Sequence, residues 1–275
     1  IDGKQLAQQR RDEIKKTVET LKQQGIVPGL AVILVGNDSA SQVYVRNKEK
    51  ACQEVGFYSE VYRLPESTTQ EQLLQLIDRL NKDDKIHGLL VQLPVPAHID
   101  EKAVIHAISP LKDVDGFLPE NMGALLIGEP GAEPCTPKGC LDLIKQTGIS
   151  IAGKKAVVVG RSNIVGKPMA IMLLREHATV TICHSRTKNL KEELLAADII
   201  VAAIGKANFI TGDMIKDGAV VIDVGMNRLE NGKLAGDVDR ASLENRDCWL
   251  TPVPGGVGPM TITMLLKNTL ESAMR

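Results

Sequence analysis

A tyrosine and a lysine stand one helical turn apart in SQVYVRNKEKACQEVGF, residues 41–57. Tyr44 and Lys48 are four residues apart, and side chains at this spacing share one face of a helix. An aromatic ring and an amine on one face can bind a flat polar ligand, and tyrosine occurs only three times in the 275 residues. Such pairs are also common on solvated helices, so the spacing alone does not decide between a solvent-exposed helix face and a ligand-binding site.

Two further polar residues are candidates for a site, one at the end of a predicted strand and one in a predicted loop. Gln92 ends the apolar run in LLVQLPVP, and Asp115 precedes a glycine in KDVDGF. In doubly wound sheets, ligands bind beyond the carboxyl ends of the strands, and Gln92 lies at such an end. Each residue also has a structural explanation, because Gln92 could satisfy backbone groups there and Asp-Gly is a common turn.

A glycine turn follows the apolar segment KAVVVG, residues 155–160, and leads into a helical segment. A strand, a glycine turn and a helix N-terminus together form the arrangement that binds a dinucleotide pyrophosphate. Gly160 and Gly166 are present, but Ser162 replaces the middle glycine of the G-x-G-x-x-G fingerprint. A tight strand–helix turn with nothing bound is the alternative.

The end of the next predicted strand favours NADP over NAD. An NAD site usually has an acidic residue about 20 residues after the glycines. Here the segment CHSRT, residues 183–187, contains Ser185 and Arg186 and no carboxylate, and Arg161 lies in the glycine turn. Two arginines and a serine suit a ribose 2′-phosphate, although a solvated Arg186 is the simpler explanation for that residue.

The elements that must position these residues alternate between helices and strands, which predicts α/β layers around parallel sheets. Residues 109–135 show little periodicity and are predicted to form a long loop that is functional or connects domains. The elements predicted before this loop are helix 4–24, strand 30–36, a helix ending at Gly56, strand 57–64, helix 69–81 with a Thr68–Glu71 capping box, strand 86–93 and a helix from Asp100 to about Ile108.

A second alternation begins near residue 153. We therefore expect two α/β domains, residues 1–139 with 256–275 and residues 140–255, with the last helix packing back on the first domain. The elements predicted here are a helix capped by Thr136 with Pro137 at its first position, strands 155–160, 178–183, 197–204 and 218–225, a hairpin at Asn231-Gly232 and a final helix from Pro259.

Composition excludes several classes of function. The net charge is −1 with no basic block, which argues against nucleic acid and anionic membranes as partners. The longest apolar runs are far shorter than the ~18 residues of a membrane span, and no signal-peptide pattern is visible. The five cysteines are odd in number and form no C-x-x-C, so we expect reduced thiols in a cytoplasmic protein, and the histidine spacing suggests no metal site.

Five motifs in order, VQLPV, DVDGF, CTPKG, GRSNIVGKPM and PVPGGVGPMT, resemble those of the bifunctional methylenetetrahydrofolate dehydrogenase/methenyltetrahydrofolate cyclohydrolase family. The resemblance extends over essentially the whole chain. It implies a folate-binding catalytic domain and an NADP-binding Rossmann domain flanking a cleft, and a homodimer. It also implies hydride transfer from methylenetetrahydrofolate to NADP⁺ and hydrolysis of the methenyl product to 10-formyltetrahydrofolate, within one-carbon metabolism and purine biosynthesis.

The resemblance also implies roles for individual residues. On the folate side, Lys48 is the key polar catalyst, Gln92 positions it, and Asp115 binds the pterin. Tyr44 lines and stacks on the folate, while Pro254 and Gly255 lie along it. The implied cofactor contacts are Gly160, Arg161, Ser162, Ser185, the backbone near Met226, and Thr261, and no metal is implied.

Two other functions remain open at this stage. One is another two-domain NADP-dependent oxidoreductase of the shikimate dehydrogenase type, which would not require the QLP and PGGVGP motifs. The other is a non-catalytic folate-binding protein that kept the fold. An assay with methylenetetrahydrofolate and NADP⁺ separates these possibilities.

Overall fold

A computed structural model describes all 275 residues, and contacts between residues divide the chain into two compact units. We call residues 8–135 with 262–275 the Lys48 unit, and residues 1–7 with 136–261 the glycine-turn unit. The end of the chain therefore belongs with the first half, as the predicted packing of the last helix requires. The domain boundaries predicted after residues 139 and 255 stay a prediction.

The Lys48 unit contains a three-stranded parallel sheet of order β2-β1-β3. All seven residues of the central strand, GLAVILV, are buried, as expected of a strand covered on both faces. The elements through this unit are α1 (Gly3–Gln23), β1 (Gly29–Val35), α2 (Ser39–Val55), β2 (Tyr58–Leu64), α3 (Gln70–Asn81), β3 (Gly88–Val91), α4 (Glu101–Ala107) and α5 (Pro119–Ile127).

Two local predictions for this unit were wrong. The capping box of α3 uses Thr69 and Gln72, because the Thr68 hydroxyl instead donates to the carbonyl oxygen of Pro65 at 2.7 Å. The segment predicted as one loop contains α5, which begins with proline and ends at the left-handed Gly128. Its apolar periodicity is weak because a polar residue, Asn121, occupies one of its buried positions.

The glycine-turn unit contains a parallel five-stranded sheet of order β10-β7-β6-β4-β5. A separate antiparallel pair, β8 with β9, flanks Asn231-Gly232, which confirms the predicted hairpin. The elements from residue 135 to the end of the chain are α6 (Cys135–Gln146), β4 (Lys155–Val159), α7 (Gly166–Arg175), β5 (Thr179–Cys183), α8 (Leu190–Leu195), β6 (Ile199–Ala202), β7 (Val220–Asp223), β8 (Asn227–Arg228), β9 (Leu234–Ala235), β10 (Trp249–Leu250) and α9 (Val257–Ala273), and most of α9 belongs to the Lys48 unit.

Three details of this half also differ from expectation. Helix α6 begins at Cys135, so Thr136 lies inside the helix and is not its cap. Helix α9 begins at Val257, two residues before Pro259, because a proline is tolerated anywhere in the first turn, where N–H groups lack helical partners. Strand β10 is only two residues long and carries no periodic signal. No helix has the length and hydrophobicity needed to cross a membrane.

His87 immediately precedes β3 and has a structural role. The backbone N–H of Gly29 donates to its Nδ1 at 3.0 Å, so the ring supports the start of β1 as a neutral acceptor. Burial, reinforced by the charge of Lys112, lowers the pKa of His87 below its ordinary value of 6.5. Its neutral form therefore contributes stability above pH 6.5 that is lost as the pH falls through the lowered pKa.

His87→Asn is expected to reduce the pH dependence of stability, because the amide oxygen can accept the same hydrogen bond without titrating. The free energy of unfolding, measured with urea at about pH 7.5 and pH 5.5, should change less in this variant than in the parent. His106→Asn, at an exposed position on α4, is the matched control and should behave as the parent. Equal pH dependence in all three proteins would contradict the prediction.

Candidate active site

Helix α2 carries the tyrosine and the lysine of the candidate site. Its N-terminus is capped by Asp38, whose carboxylate accepts the N–H of Ser41 at 2.7 Å. Tyr44 is 41% exposed, whereas Lys48 is half-buried and donates from Nζ to Oε1 of Gln92 at 3.0 Å. The amide of Gln92 is held from its other side, because Nε2 donates to the carbonyl oxygen of Leu93 at 2.8 Å. The amide therefore presents an acceptor oxygen to the lysine.

Gln92 lies at the carboxyl end of β3, as predicted. Val91 pairs with Ile33 of the neighbouring strand β1, and the N–H of Gln92 donates to the carbonyl oxygen of Ile33 at 2.8 Å. The sheet thus fixes the backbone of Gln92, and the helix after β1 supplies Lys48. Helix α2 and the end of strand β3, which are separated in sequence by β2 and α3, meet at the hydrogen bond between Lys48 and Gln92.

Asp115 reaches the same edge of the sheet by extending it. Residues 112–113 run parallel to β3, with a bridge between Leu89 and Asp113 and a 2.8 Å hydrogen bond from the N–H of Leu89 to the carbonyl oxygen of Lys112. In that register Asp115 falls beside the end of β3, where Gln92 lies. Burial raises the pKa of Asp115, and the nearby charge of Lys48 opposes this shift. Lys48 therefore faces both an amide and a carboxyl group.

The turn that carries Asp115 is organised by Asp113, which sequence reasoning missed. The buried carboxylate of Asp113 accepts the N–H groups of Gly116 at 3.0 Å and Leu118 at 2.9 Å, and Nδ2 of Asn121 at 2.9 Å. The only signal in the sequence was that an aspartate in a turn commonly accepts N–H groups a few residues later. DVDGF contains two aspartates, and this pattern does not show which of them organises the turn.

Asn268 on α9 supports this turn from the end of the chain. Its Nδ2 donates to the carbonyl oxygens of Val114 and Glu133, each at 2.8 Å. Sequence reasoning missed this residue too, because an asparagine within a helix carries no signal about a contact 154 residues away. The Asp115 turn therefore depends on the last helix.

In the glycine-turn unit, Gly160 lies where the strand order of the sheet changes direction. The chain goes from β4 to β5 on one side and then crosses to β6 on the other. Gly160 has a φ of +128°, and a Cβ there would lie 2.2 Å from the carbonyl oxygen of Ala203, which follows β6. A Cβ at Gly166 would likewise lie 2.2 Å from the carbonyl oxygen of Gly160. Both glycines are therefore required for the close packing of this turn against the end of β6 and the start of α7, which is the packing of a dinucleotide-binding turn.

Ser162 occupies the place of the missing middle glycine. Its Oγ accepts the N–H groups of Val165 at 3.2 Å and Gly166 at 3.3 Å, at the start of α7. The serine therefore organises the N-terminus of the helix, where an anion is favoured. Arg161 is exposed beside it.

Ser185 and Arg186 project from a tight turn after β5, the strand next to β4. The N–H of His184 donates to Oγ1 of Thr187, and the N–H of Thr187 returns to the carbonyl oxygen of His184, both at 2.8 Å. These bonds close the turn and leave Ser185 and Arg186 exposed. Val159 pairs with Cys183, so this turn and the glycine turn follow adjacent strand ends.

The other predicted contacts also belong to the glycine-turn unit. Met226 follows β7 and is 45% exposed. Pro254 is exposed, and Gly255 adopts a φ of +104°. Thr261 lies on α9 with its Oγ1 3.0 Å from Oγ1 of Thr136. The structure thus brings Lys48, Gln92 and Asp115 together in one unit and places these four residues with the glycine turn in the other.

A glycine turn at the switch point of a parallel sheet defines a dinucleotide-binding α/β protein, and here it accompanies a separate polar site around a lysine. The family model of the catalytic domain of tetrahydrofolate dehydrogenase/cyclohydrolase matches residues 1–115, and that of its NAD(P)-binding domain matches residues 134–275. The chain belongs to the tetrahydrofolate dehydrogenase/cyclohydrolase family.

Relatives and solved structures agree with this assignment. The chain is 65% identical to the bifunctional protein FolD of Moorella thermoacetica, over 100% of this chain and 98% of that protein. It resembles the crystal structure of the bifunctional FolD methylenetetrahydrofolate dehydrogenase/cyclohydrolase of Campylobacter jejuni with a TM-score of 0.96, 51% identity and coverage of 99% and 97% of the two chains. The FolD of Trypanosoma brucei, solved with NADP and an inhibitor, gives a TM-score of 0.94, 41% identity and coverage of 100% and 97%.

The family and the fold class inferred from the sequence are therefore confirmed. Full-length identity of this size to bifunctional relatives also favours that function over a shikimate-type oxidoreductase and over a non-catalytic folate-binding protein. The roles of the individual site residues stay predictions.

Proposed function

We propose that this protein oxidises 5,10-methylenetetrahydrofolate to 5,10-methenyltetrahydrofolate with NADP⁺ and hydrolyses the product to 10-formyltetrahydrofolate. The observation that carries this proposal is the 3.0 Å hydrogen bond from Lys48 to Gln92, near the half-buried carboxyl group of Asp115. An amine held by a neutral amide suits a reaction in which the substrate itself is a cation.

Lys48 is proposed to accept the proton that water loses during hydrolysis. A lysine amine is normally protonated at neutral pH, but a bound methenyl cation disfavours the ammonium form by repulsion. Gln92 orients the amine without stabilising its charge as a carboxylate partner would. Water forms a bond to the methenyl carbon and loses a proton to Lys48. The hydroxyl group on that carbon then loses its proton as the C=O bond forms and the bond to N5 breaks, N5 takes up a proton, and one proton is released overall.

Tyr44 and Asp115 are proposed to bind the folate. The exposed ring of Tyr44 offers a flat surface for stacking of the pterin. The carboxylate of Asp115 can accept paired hydrogen bonds from the amino and ring N–H groups of the pterin. In the free protein, burial raises the pKa of Asp115 and the nearby charge of Lys48 opposes this shift. Pro254 and Gly255 are proposed as further contacts along the folate.

The residues of the glycine-turn unit fit NADP. The side-chain-free backbone at Gly160 and the N-terminus of α7 suit the pyrophosphate, and exposed Arg161 and Ser185 suit the 2′-phosphate. The backbone near Met226 and the side chain of Thr261 are proposed as the remaining contacts. When bound, NADP⁺ supplies the hydride acceptor, so the protein has only to bind and orient the reactants.

An assay of the purified protein with methylenetetrahydrofolate and NADP⁺ tests the proposal. We expect a rise in the methenyl absorbance, and hydrolysis of added methenyltetrahydrofolate without NADP⁺. A non-catalytic protein would bind folate without either change. Oxidation of shikimate without formation of a methenyl product would favour the other class of enzyme, and absence of the methenyl product under all conditions would contradict the proposal.

We also propose that the protein is a cytoplasmic homodimer, as the family resemblance implies. Strand β2 supports this proposal because it forms the outer edge of its sheet, and an open edge can pair with a second copy. Tyr58 and Tyr62 lie on this edge strand and could contribute aromatic contact area. Sedimentation should give twice the chain mass of 29.8 kDa, and a monomer at micromolar concentration would contradict the dimer.

A further inference from the structure

Two buried aspartates in the glycine-turn unit have no part in the mechanism described above. Asp223 is the last residue of β7, and Asp237 follows the hairpin of β8 and β9. Their exposed fractions are 3% and 0%. Burial of a carboxylate destabilises the folded state unless its oxygens accept hydrogen bonds. The groups that donate to these two aspartates therefore show which parts of the backbone the aspartates hold in place.

Asp237 holds the backbone at the end of β6. Its Oδ2 accepts the N–H groups of Ile204 at 2.7 Å and Gly205 at 3.0 Å, and its Oδ1 accepts that of Lys206 at 2.9 Å. Nδ2 of Asn227 donates to Oδ1 at 2.9 Å. Three consecutive backbone N–H groups thus converge on one carboxylate, in a segment that follows the end of β6 at Ala202.

Asp223 accepts hydrogen bonds from the backbone on both sides of the hairpin of β8 and β9. Its Oδ1 accepts the N–H groups of Gly225 at 3.0 Å and Asp237 at 2.9 Å, and its Oδ2 accepts that of Val238 at 2.9 Å. A Cβ at Gly225 would lie 2.3 Å from Oδ1 of Asp237, and a Cβ at Gly236 would lie 1.8 Å from Oδ2 of Asp223. The carboxylate of Asp237 therefore packs against Gly225, whose N–H donates to Asp223, and the carboxylate of Asp223 packs against Gly236, which precedes Asp237.

We propose that Asp223 and Asp237 are positioning residues for NADP, an inference that rests on the proposed function. Together they fix residues 204–206 after β6 and 225–227 after β7, both at the carboxyl edge of the sheet. Gly160 contacts Ala203 at this same edge, so the glycine turn and the two fixed segments border one region. The backbone near Met226, a proposed cofactor contact, lies between Gly225 and Asn227, which are bound by Asp223 and Asp237 respectively.

Asp237→Asn tests this proposal. The amide nitrogen would face N–H donors on either side, so at least one of the four hydrogen bonds is replaced by a donor-to-donor contact. We expect kcat/KM for NADP⁺ in the dehydrogenase reaction to fall at least tenfold, and binding of NADPH, followed by its fluorescence, to weaken. Hydrolysis of methenyltetrahydrofolate should stay within twofold of the parent, because Lys48, Gln92 and Asp115 belong to the other unit.

Asp239→Asn is the matched control. It removes the same charge two residues away, where Asp239 accepts a single N–H, from Ala241 at 3.2 Å, and it should leave both activities unchanged. An Asp237→Asn variant that folds and retains parental NADP⁺ kinetics would overturn the proposal, and so would an equal loss of both activities. If that variant does not fold, Asn227→Ala replaces it, because this substitution removes only one of the donors to Asp237. A loss of NADP⁺ kinetics without a loss of hydrolysis would again support the proposal, and any other result would overturn it.

A parent protein that shows no dehydrogenase activity would count against the proposed function, whereas an active parent with an unaffected Asp237→Asn variant would count against the positioning role alone. The two failures are therefore distinguishable in one set of assays.

Discussion

Lys48→Met is expected to lower the rate of methenyltetrahydrofolate hydrolysis by about a thousandfold, within the usual contribution of a general acid–base group. Methionine fills a similar volume and cannot accept a proton. The substitution also removes the charge that opposes protonation of Asp115, so the pKa of that carboxyl group should rise further. Decay of the methenyl absorbance at saturating substrate measures the effect.

Lys50→Met is the matched control for this experiment, since Lys50 is an exposed lysine two residues along the same helix. It should hydrolyse the substrate at the parental rate. Binding of NADPH should be unchanged in both variants, because α2 and the glycine turn belong to different units. Equal rates of hydrolysis in the Lys48→Met variant and the parent would remove Lys48 from the mechanism.

Arg161→Ala combined with Ser185→Asp is expected to shift the cofactor preference from NADP towards NAD. Loss of a hydrogen bond to a charged group costs about 1.5–3 kcal/mol, so kcat/KM for NADP⁺ should fall by about a hundredfold or more. The introduced carboxylate would repel a 2′-phosphate and could accept a hydrogen bond from the 2′-hydroxyl of NAD. The measurement is kcat/KM with each cofactor under otherwise equal conditions.

Arg246→Ala is a suitable control because this arginine precedes β10, at the amino edge of the sheet, and pairs with Asp217 at 3.7 Å. It should leave the preference unchanged. Hydrolysis of methenyltetrahydrofolate should survive in both variants, which shows that they remain folded. A preference that does not move in the double variant would place the 2′-phosphate elsewhere, and Arg186→Ala would then be the next substitution to test.

Sequence reasoning succeeded where the signal was local. The shared face of Tyr44 and Lys48 follows from helical spacing, and the place of Gln92 follows from the end of an apolar strand. The 3.0 Å contact between Lys48 and Gln92 depends on how α2 packs on β1 and β2 and on how β3 pairs with β1, which no single segment encodes. Only the combination of distant motifs indicated that these residues belong to one site.

The predictions that were wrong, and the residues that were missed, depend on hydrogen bonds that the local pattern does not show. Thr68 and Thr69 are equally good caps in isolation, and the choice between them depends on the turn at Pro65. Helix α5 was missed because Asn121 is buried for its hydrogen bonds to the Asp115 turn, which disrupts the apolar pattern. Asp223 and Asp237 acquire their partners only after the hairpin between them folds back. The bond from Thr68 to Pro65 is local but lies outside the capping pattern, whereas the contacts of Asp223 and Asp237 join segments that are distant in sequence.

The contact of Asn268 with Val114 and Glu133 has a consequence for biosynthesis. A nascent chain leaves the ribosome from its N-terminus, so the Asp115 turn emerges long before the asparagine that holds it. Residues 136–261 are all translated in the interval. The emerging polypeptide can therefore complete the glycine-turn unit first and the Lys48 unit last, and a product terminated ahead of Asn268 would lack the residue that holds the Asp115 turn.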